Sequence, residues 1–309
     1  MLHLGYGRCK ERYTVIYDMP GRGPGWLRLR AERAYWLMKT IAYAVPTSQN
    51  ERKEDENMSE CLRTEVHGKV LLLQICDEKT LNCLDAGTLD EMGKILRDFT
   101  RNPALRALVV TGTGRAFCTG ADLKNFTTLE REACVDWSVD YEQDLFRLLS
   151  SSSKPTIAAV NGYAMGGGLE LAVACDFRVG VEKCLFSSPE YGFGWIPGWG
   201  GVHRLSQLIG PAKAKELMLL QKKIRGKEAL ELGLLTELVE DPEQLLPRAM
   251  EMAQSLAELN PLTVTYTKTV LNDFAVPPQD SLLQGLTNAI TSKSDYARAK
   301  VEAFFDRKK

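Results

Sequence analysis

Histidine is scarce in this chain of 309 residues: His3, His67 and His203 are the whole set. None stands beside a second ligand-type residue at metal-binding spacing, which argues against a metal site. The eight cysteines (Cys9, Cys61, Cys76, Cys83, Cys118, Cys134, Cys175 and Cys184) include no C-x-x-C pair. Scattered thiols of this kind fit small buried hydrophobes in a reducing compartment rather than bridges or zinc. Charge of one sign is not in excess either. The formal net charge is -1, so nucleic acid is not expected as the principal partner. Long hydrophobic runs are missing as well. Ala34-Tyr35-Trp36-Leu37-Met38, with Ile41 to Val45, is interrupted by Lys39 and is too short to span a bilayer.

What is present is an α/β pattern that begins near Leu62. Residues 1–57 read differently, with eight basic and three acidic side chains in residues 1–50 and then the charge cluster Glu51–Asn57. They are read as a poorly ordered upstream extension, with Met58 as the working start. A basic, amphipathic targeting segment is the alternative, although serines are few and acids are present. The expected location is therefore intracellular, cytoplasmic in the first instance, with a mitochondrial address as the alternative.

The expected body comprises an α/β core over 58–210 and a helical region over 211–309. Val70–Ile75 reads as a strand entered through His67-Gly68. Asp85 is placed to cap a helix whose apolar residues Leu89, Met92, Leu96 and Phe99 repeat at three and four, ending before Asn102-Pro103. Leu105–Thr111 reads as a buried strand, 115–123 as a loop, and Val135–Leu149 as a helix. Thr156–Val160 is a strand that breaks into Gly166–Gly168 and then the helical run Leu169–Cys175. Beyond Pro211, helices are expected over 212–220, 226–233, 243–259, 263–273 and 281–305.

Chemistry concentrates at the triple glycine. A strand that gives way to glycine and then a helix aims unpaired backbone N–H groups at one spot, reinforced by the helix dipole. Such a spot suits a developing oxyanion. Glu170 lies at the start of that helix, and Glu190 follows in Ser187-Ser188-Pro189-Glu190-Tyr191-Gly192. Two carboxyl groups beside an oxyanion pocket can move protons next to a carbonyl.

Three segments resemble a known family. Ala116-Phe117-Cys118-Thr119-Gly120-Ala121-Asp122-Leu123 resembles the F-x-x-G-A-D-[LI] loop of the enoyl-CoA hydratase/isomerase (crotonase) superfamily. Ala159–Leu171 is similar to its V-N-G-x-A-x-G-G-G-x-E-L signature, and Glu190 with Gly194–Gly201 to its P-E-x-x-x-G-x-x-P-x-x-G-G element. The resemblance spans about residues 62–305 and is strong because the three motifs are linked. It implies a spiral of ββα units with a C-terminal helical region used in trimerisation, hence a homotrimer or dimer of trimers. The apolar positions of 282–305 would then meet a neighbouring subunit.

The resemblance also implies an acyl-CoA thioester substrate, with no cofactor beyond its CoA moiety. Backbone N–H groups of Ala121 and Gly167 would hold the thioester oxygen. Ala121, Asp122, Leu123 and Lys124, with Gly167, would contact substrate and CoA. Glu170 would deprotonate a water that adds across the C2–C3 double bond of a 2-enoyl-CoA, and Glu190 would exchange the proton at C2. Phe193, Trp195, Ile196 and Trp199 could form an apolar wall that keeps a glutamate protonated. Isomerisation, decarboxylation and thioester hydrolysis remain as sister reactions, and a non-enzymatic RNA-binding relative as a reading of another class.

Competing readings of single residues are weaker. Cys118 has no histidine near it in sequence to activate it as a nucleophile. Gly112-Thr113-Gly114 lacks the third glycine of a dinucleotide fingerprint, because Phe117 stands there. Tyr191, Phe193, Trp195 and Trp199 read as packing before specificity, and Asp176 and Arg178 as structural. Trp199 is bulky where similar proteins often have a smaller residue, which would shorten or redirect an acyl pocket. No aspartate stands there, so the nucleophile of the related dehalogenases is missing.

Overall fold

A computed structural model describes residues 61–272 and 288–306. The extension 1–57, with Met58, lies outside the described residues, as do 273–287 of the expected C-terminal helices. Among the described residues ten strands form two sheets. The larger has the order β1 (Leu62–His67), β2 (Val70–Ile75), β3 (Ala107–Gly112), β5 (Thr156–Val160), β7 (Phe177–Val181), β10 (Glu237–Val239). The smaller has the order β4 (Ala116–Cys118), β6 (Tyr163–Met165), β8 (Leu185–Ser187), β9 (Ile224–Arg225). Consecutive strands alternate between the sheets: β3 then β4, β5 then β6, β7 then β8. Each pair followed by a helix makes one turn of a spiral, so the ββα arrangement implied by the resemblance is the arrangement found.

In the larger sheet the pairs β2–β3, β3–β5, β5–β7 and β7–β10 are parallel, and β1 runs antiparallel on β2. Strands β3 and β5 are buried along their whole length, as expected of parallel strands covered on both faces. Helix α1 (Ala86–Arg101) starts where Asp85 predicts: its carboxylate accepts from Thr88 N at 2.7 Å. The four periodic residues Leu89, Met92, Leu96 and Phe99 are all buried, each worth about 1.5–3 kcal/mol in transfer free energy. Gly112 needs its lack of a side chain, because a Cβ there would sit 2.2 Å from Phe117 O.

Several elements differ from expectation, each for a local reason. Strand β1 is polar and lies at the sheet edge with only Leu62 buried, so it lacks an apolar signal. Strands β4, β6 and β8 are three residues long, too short for any periodicity. The polar stretch after Ala121 is helix α2 (Leu123–Thr128), capped by the Asp122 carboxylate through Lys124 N at 2.9 Å. Helix α3 (Arg131–Tyr141) continues through a π-helical turn, Glu142–Arg147, into a last α-turn, Leu148–Ser150. Helix α4 (Gly167–Ala174) begins within the triple glycine rather than after it.

Helix α5 runs over Gly201–Leu219 and not from residue 212, broken by Gly210 at φ 77° and ψ 153°. Pro211 suits the first turn of a helix, so the second half alone was visible. Helices α6 (Gly226–Glu231) and α7 (Leu245–Ala257) follow. Helix α7 lays Leu245, Ala249, Ala253 and Ala257 on the larger sheet, all buried. Helices α8 (Pro261–Asn272) and α9 (Asp295–Asp306) complete the described fold. Ala297 and Val301 of α9, with Ala289, pack against Phe126 and Trp195 of this same chain. Tyr296 and Ile290 stay exposed. Among the described residues no helix is long and apolar enough to cross a membrane.

Replacing Asp85 with Ala deletes the one side-chain cap of α1 and is expected to lower stability by about 1 kcal/mol. Urea unfolding would record this as a lower midpoint with unchanged slope. An unchanged midpoint would show that the cap carries no weight.

Candidate active site

The spiral brings two turns into contact at the ends of β4 and β6. Gly120 ends the first turn at φ 88°, and a Cβ on it would lie 2.7 Å from Gly167 N. Gly166 opens the second at φ 56°, a left-handed value that favours glycine. A Cβ on Gly168 would sit 1.9 Å from Cys118 O, so α4 meets β4 backbone to backbone. The turn 112–116 below them is braced by two asparagines. Asn82 Nδ2 donates to Thr113 O and Ala116 O at 2.9 and 2.8 Å, and Asn161 Nδ2 to Gly114 O and Ala116 O at 3.0 and 3.1 Å.

Ala121 stands opposite Leu84 in an isolated parallel bridge. Leu84 N donates to Gly120 O at 2.7 Å, and Asp122 N donates to Leu84 O at 3.0 Å. In that pattern the bonds pass through the neighbours of Ala121, and its own N–H points to the other side. Gly167 N begins α4, where N–H groups have no partner within the helix. The two N–H groups expected at an oxyanion pocket thus lie on adjoining backbone with their donors unspent.

Both glutamates stand near this contact, Glu170 on the helix that begins at Gly167 and Glu190 beside Gly166. Glu170 is buried, and its Oε1 accepts from Trp199 N and Gly201 N, each at 2.8 Å. Glu190 lies in the 3-10 turn Pro189–Phe193, where its Oε2 accepts from Ser188 Oγ at 2.8 Å. Its Oε1 faces the glycine turn, since a Cβ on Gly166 would meet it at 3.2 Å. Burial, and then the charge on Glu190, push the Glu170 carboxyl up to about 8, against the pull of the Gly201 and Trp199 N–H groups and of Arg204. Burial likewise pushes Glu190 up to about 6, opposed by its own N–H and the Ser188 hydroxyl. Glu190 as a residue is only half-buried, but its carboxyl end is enclosed. Glu170 is raised the further, so the one proton that the pair holds around neutral pH rests mainly on Glu170, and the two carboxyls titrate as a unit.

The remaining expected residues divide. Asp122 caps α2, Leu123 packs beside Phe126 and Trp195, and Lys124 is exposed on the first turn of α2. Cys118 is fully buried and its thiol is pushed up to about 12 by burial, which leaves it an inert packing residue. Arg178 is buried and donates to the carbonyls of Leu234, Ala172 and Cys175, a structural role.

The expected apolar wall is split. Trp199 stands at Glu170, whereas Phe193 and Trp195 belong to a second cluster with Phe126. Three contributors had no assignment from sequence: Ser188 on Glu190, the Trp199 and Gly201 N–H groups on Glu170, and Arg204. The last is buried and donates from Nη1 to Trp199 O at 2.5 Å. Arg204 follows the second Gly-Gly pair by three residues, the only sequence signal that it had.

The model of the family described as enoyl-CoA hydratase/isomerase matches residues 65–305. A crotonyl-CoA hydratase of Syntrophomonas wolfei is 37% identical over 206 residues, 66% of this chain and 78% of that protein. A short-chain-enoyl-CoA hydratase of Clostridium acetobutylicum is 36% identical over 209 residues, 67% of this chain and 79% of that protein. Among solved structures, an enoyl-CoA hydratase from Bacillus anthracis superposes with a TM-score of 0.66 at 31% identity, covering 80% of this chain and 97% of that one. The chain belongs to the enoyl-CoA hydratase/isomerase family.

Proposed function

We propose that this chain is a hydro-lyase that adds water across the C2–C3 double bond of a 2-enoyl-CoA. The observation that carries the reading is the interacting pair of glutamates beside the Gly120–Gly167 contact, where two backbone donors are unspent. The similarity to proteins named as enoyl-CoA and crotonyl-CoA hydratases supports it.

The thioester oxygen accepts from Ala121 N and Gly167 N. Attack of water at C3 moves the π electrons onto that oxygen, and the enolate is held by donors that need no reorganisation. Glu170 takes the proton from the attacking water, and Glu190 delivers one to C2. Hydration starts from the form with Glu190 protonated and Glu170 ionised. Burial raises Glu170 the further, so this is the minor form of the free pair, and after each turnover a proton passes back from Glu170 to Glu190. Both carboxyls are used, which favours hydration over sister reactions that need only one. The Ala121–Lys124 segment contacts CoA, with Asp122 acting through the cap that fixes the loop. Apolar residues left exposed on α8, Leu262, Tyr266 and Val270, support assembly with further copies as a trimer or dimer of trimers.

With crotonyl-CoA, loss of the conjugated enoyl-thioester absorbance should accompany formation of 3-hydroxybutyryl-CoA. Glu170→Gln and Glu190→Gln are each expected to lower kcat by about 10²–10⁴-fold with KM little changed. Full activity in either variant would refute the assigned roles. The pH profile of kcat/KM should be bell-shaped, because the pair works only while it holds one proton.

Stability should depend on pH with a defined sign. Glu170 and Glu190 both titrate above the ordinary 4.5 in the folded chain. The folded state therefore binds more protons than the unfolded one across the window from about 4.5 to about 8, and stability falls as pH rises through it. Glu170→Gln keeps an oxygen for Trp199 N and Gly201 N and removes the titration. Its stability relative to wild type should increase by more than about 1 kcal/mol from the bottom to the top of that window. Chemical denaturation at several pH values reads this directly, and parallel curves for the two proteins would contradict it.

A further inference from the structure

Trp199 packs between Gly167 and Glu170, and its side chain takes no part in the proposed proton transfers. Its main-chain N–H is tied to Glu170 at 2.8 Å, the carboxyl that addresses C3 in the proposed reaction. Its indole turns back over the glycine turn: a Cβ on Gly167 would lie 2.2 Å from Trp199 Cζ3 and 2.7 Å from Cε3. The ring is therefore seated against the residue whose N–H holds the thioester oxygen.

Behind it stand two further rings. Phe146 stacks on it at 4.7 Å between centroids and 20° between planes, and Trp137 lies at 4.9 Å and 41°. Trp137 touches Phe126, which touches Trp195, at 5.1 and 4.9 Å. Phe146 is fully enclosed and Trp199 is 3% exposed. The Trp199 Nε1 is buried with no acceptor, so packing and not hydrogen bonding orients the indole. A ring held between backbone on one side and stacked rings on the other has no free rotamer to move into.

We infer that the Trp199 indole closes the acyl end of the site and restricts it to short acyl groups of crotonyl size. The inference rests on the hydratase reading for the position of C3. An acyl chain whose carbonyl oxygen lies at Gly167 N and whose C3 lies at Glu170 meets the indole within the next carbons. Longer chains have to displace a ring backed by Phe146 and Trp137. Discrimination of about 10–200-fold for each poorly accommodated methylene is typical of such walls.

The test compares wild type, Trp199→Phe and Trp199→Ala in two assays. The first measures affinity for butyryl-CoA and decanoyl-CoA, which are saturated and cannot be hydrated. The second measures kcat/KM for crotonyl-CoA and trans-2-decenoyl-CoA. Wild type should favour the short member in both assays. Trp199→Ala should raise the long-to-short ratio by about 100-fold or more, with Trp199→Phe between.

Wild type taking the ten-carbon thioester as well as the four-carbon one would overturn the inference. So would variants that weaken both chain lengths equally, because the residue would then only be positioning Glu170. If Trp199→Ala does not fold, wild type and Trp199→Phe still decide. If no enoyl-CoA is hydrated, the hydratase reading fails, and the butyryl-to-decanoyl affinity ratio judges the closed acyl end independently.

Discussion

Everything at the site depends on two stretches of backbone touching without side chains between them. Gly120 lies against Gly167 N, and Gly168 lies against Cys118 O, at separations that leave no room for a Cβ. Any other residue there would drive α4 away from β4, and the unspent donors of Ala121 and Gly167 would part. The alternation of strands between two sheets is what enforces the contact. Strand β4 pairs with β6 in the small sheet while β3 pairs with β5 in the large one, so both turns emerge at the same level. The asparagine braces at 82 and 161 then fix the lower loop against sliding.

The electrostatics follow from where that contact lies. Two N–H donors and a nearby guanidinium favour the charged form of Glu170, and burial beside Glu190 opposes it; burial wins. Had hydrogen bonding won at both positions, the site would carry two carboxylates and no proton to deliver. Had burial been unopposed, it would hold two neutral acids and no base. Opposed terms leave the pair with one proton near neutrality, the state that the proposed proton transfers at C3 and C2 require.

How much of this was legible in the sequence depended on the length scale of the signal. Helix α1 was read from its cap to its last apolar residue because Asp85 and a four-residue periodicity reinforce one another. Strands β3 and β5 were read because buried parallel strands are continuous apolar runs. The three-residue strands of the second sheet were not, since their pairing is decided by partners well outside the local segment, as in Ala116 with Tyr163 and Tyr163 with Leu185. The glutamates and glycines were legible as motifs. The groups that hold them were less so: Trp199 N and Gly201 N act through the main chain, which carries no residue signature, and Ser188 and Arg204 are polar residues whose partners only folding selects. The aromatic wall failed to read as one surface for a similar reason. Phe193 and Trp199 are six residues apart, yet they pack in different clusters.

Trp199 shows how chemistry and selectivity share one position without being coupled. Its backbone N–H orients Glu170, and that bond survives any side chain that leaves the loop in place. Its indole bounds the inferred acyl space, and that boundary would change with every substitution. Arg204 secures the loop by gripping Trp199 O, again a main-chain atom. In the proposed reaction the machinery for moving protons is thus built from backbone donors and two carboxyls, whereas the inferred limit on substrate is set by one ring and the rings stacked behind it. A site divided in this way can retain its reaction while its acyl preference is rewritten. Within one family fold, this makes the reaction legible from glutamates and glycines and the substrate legible only from the packing around residue 199.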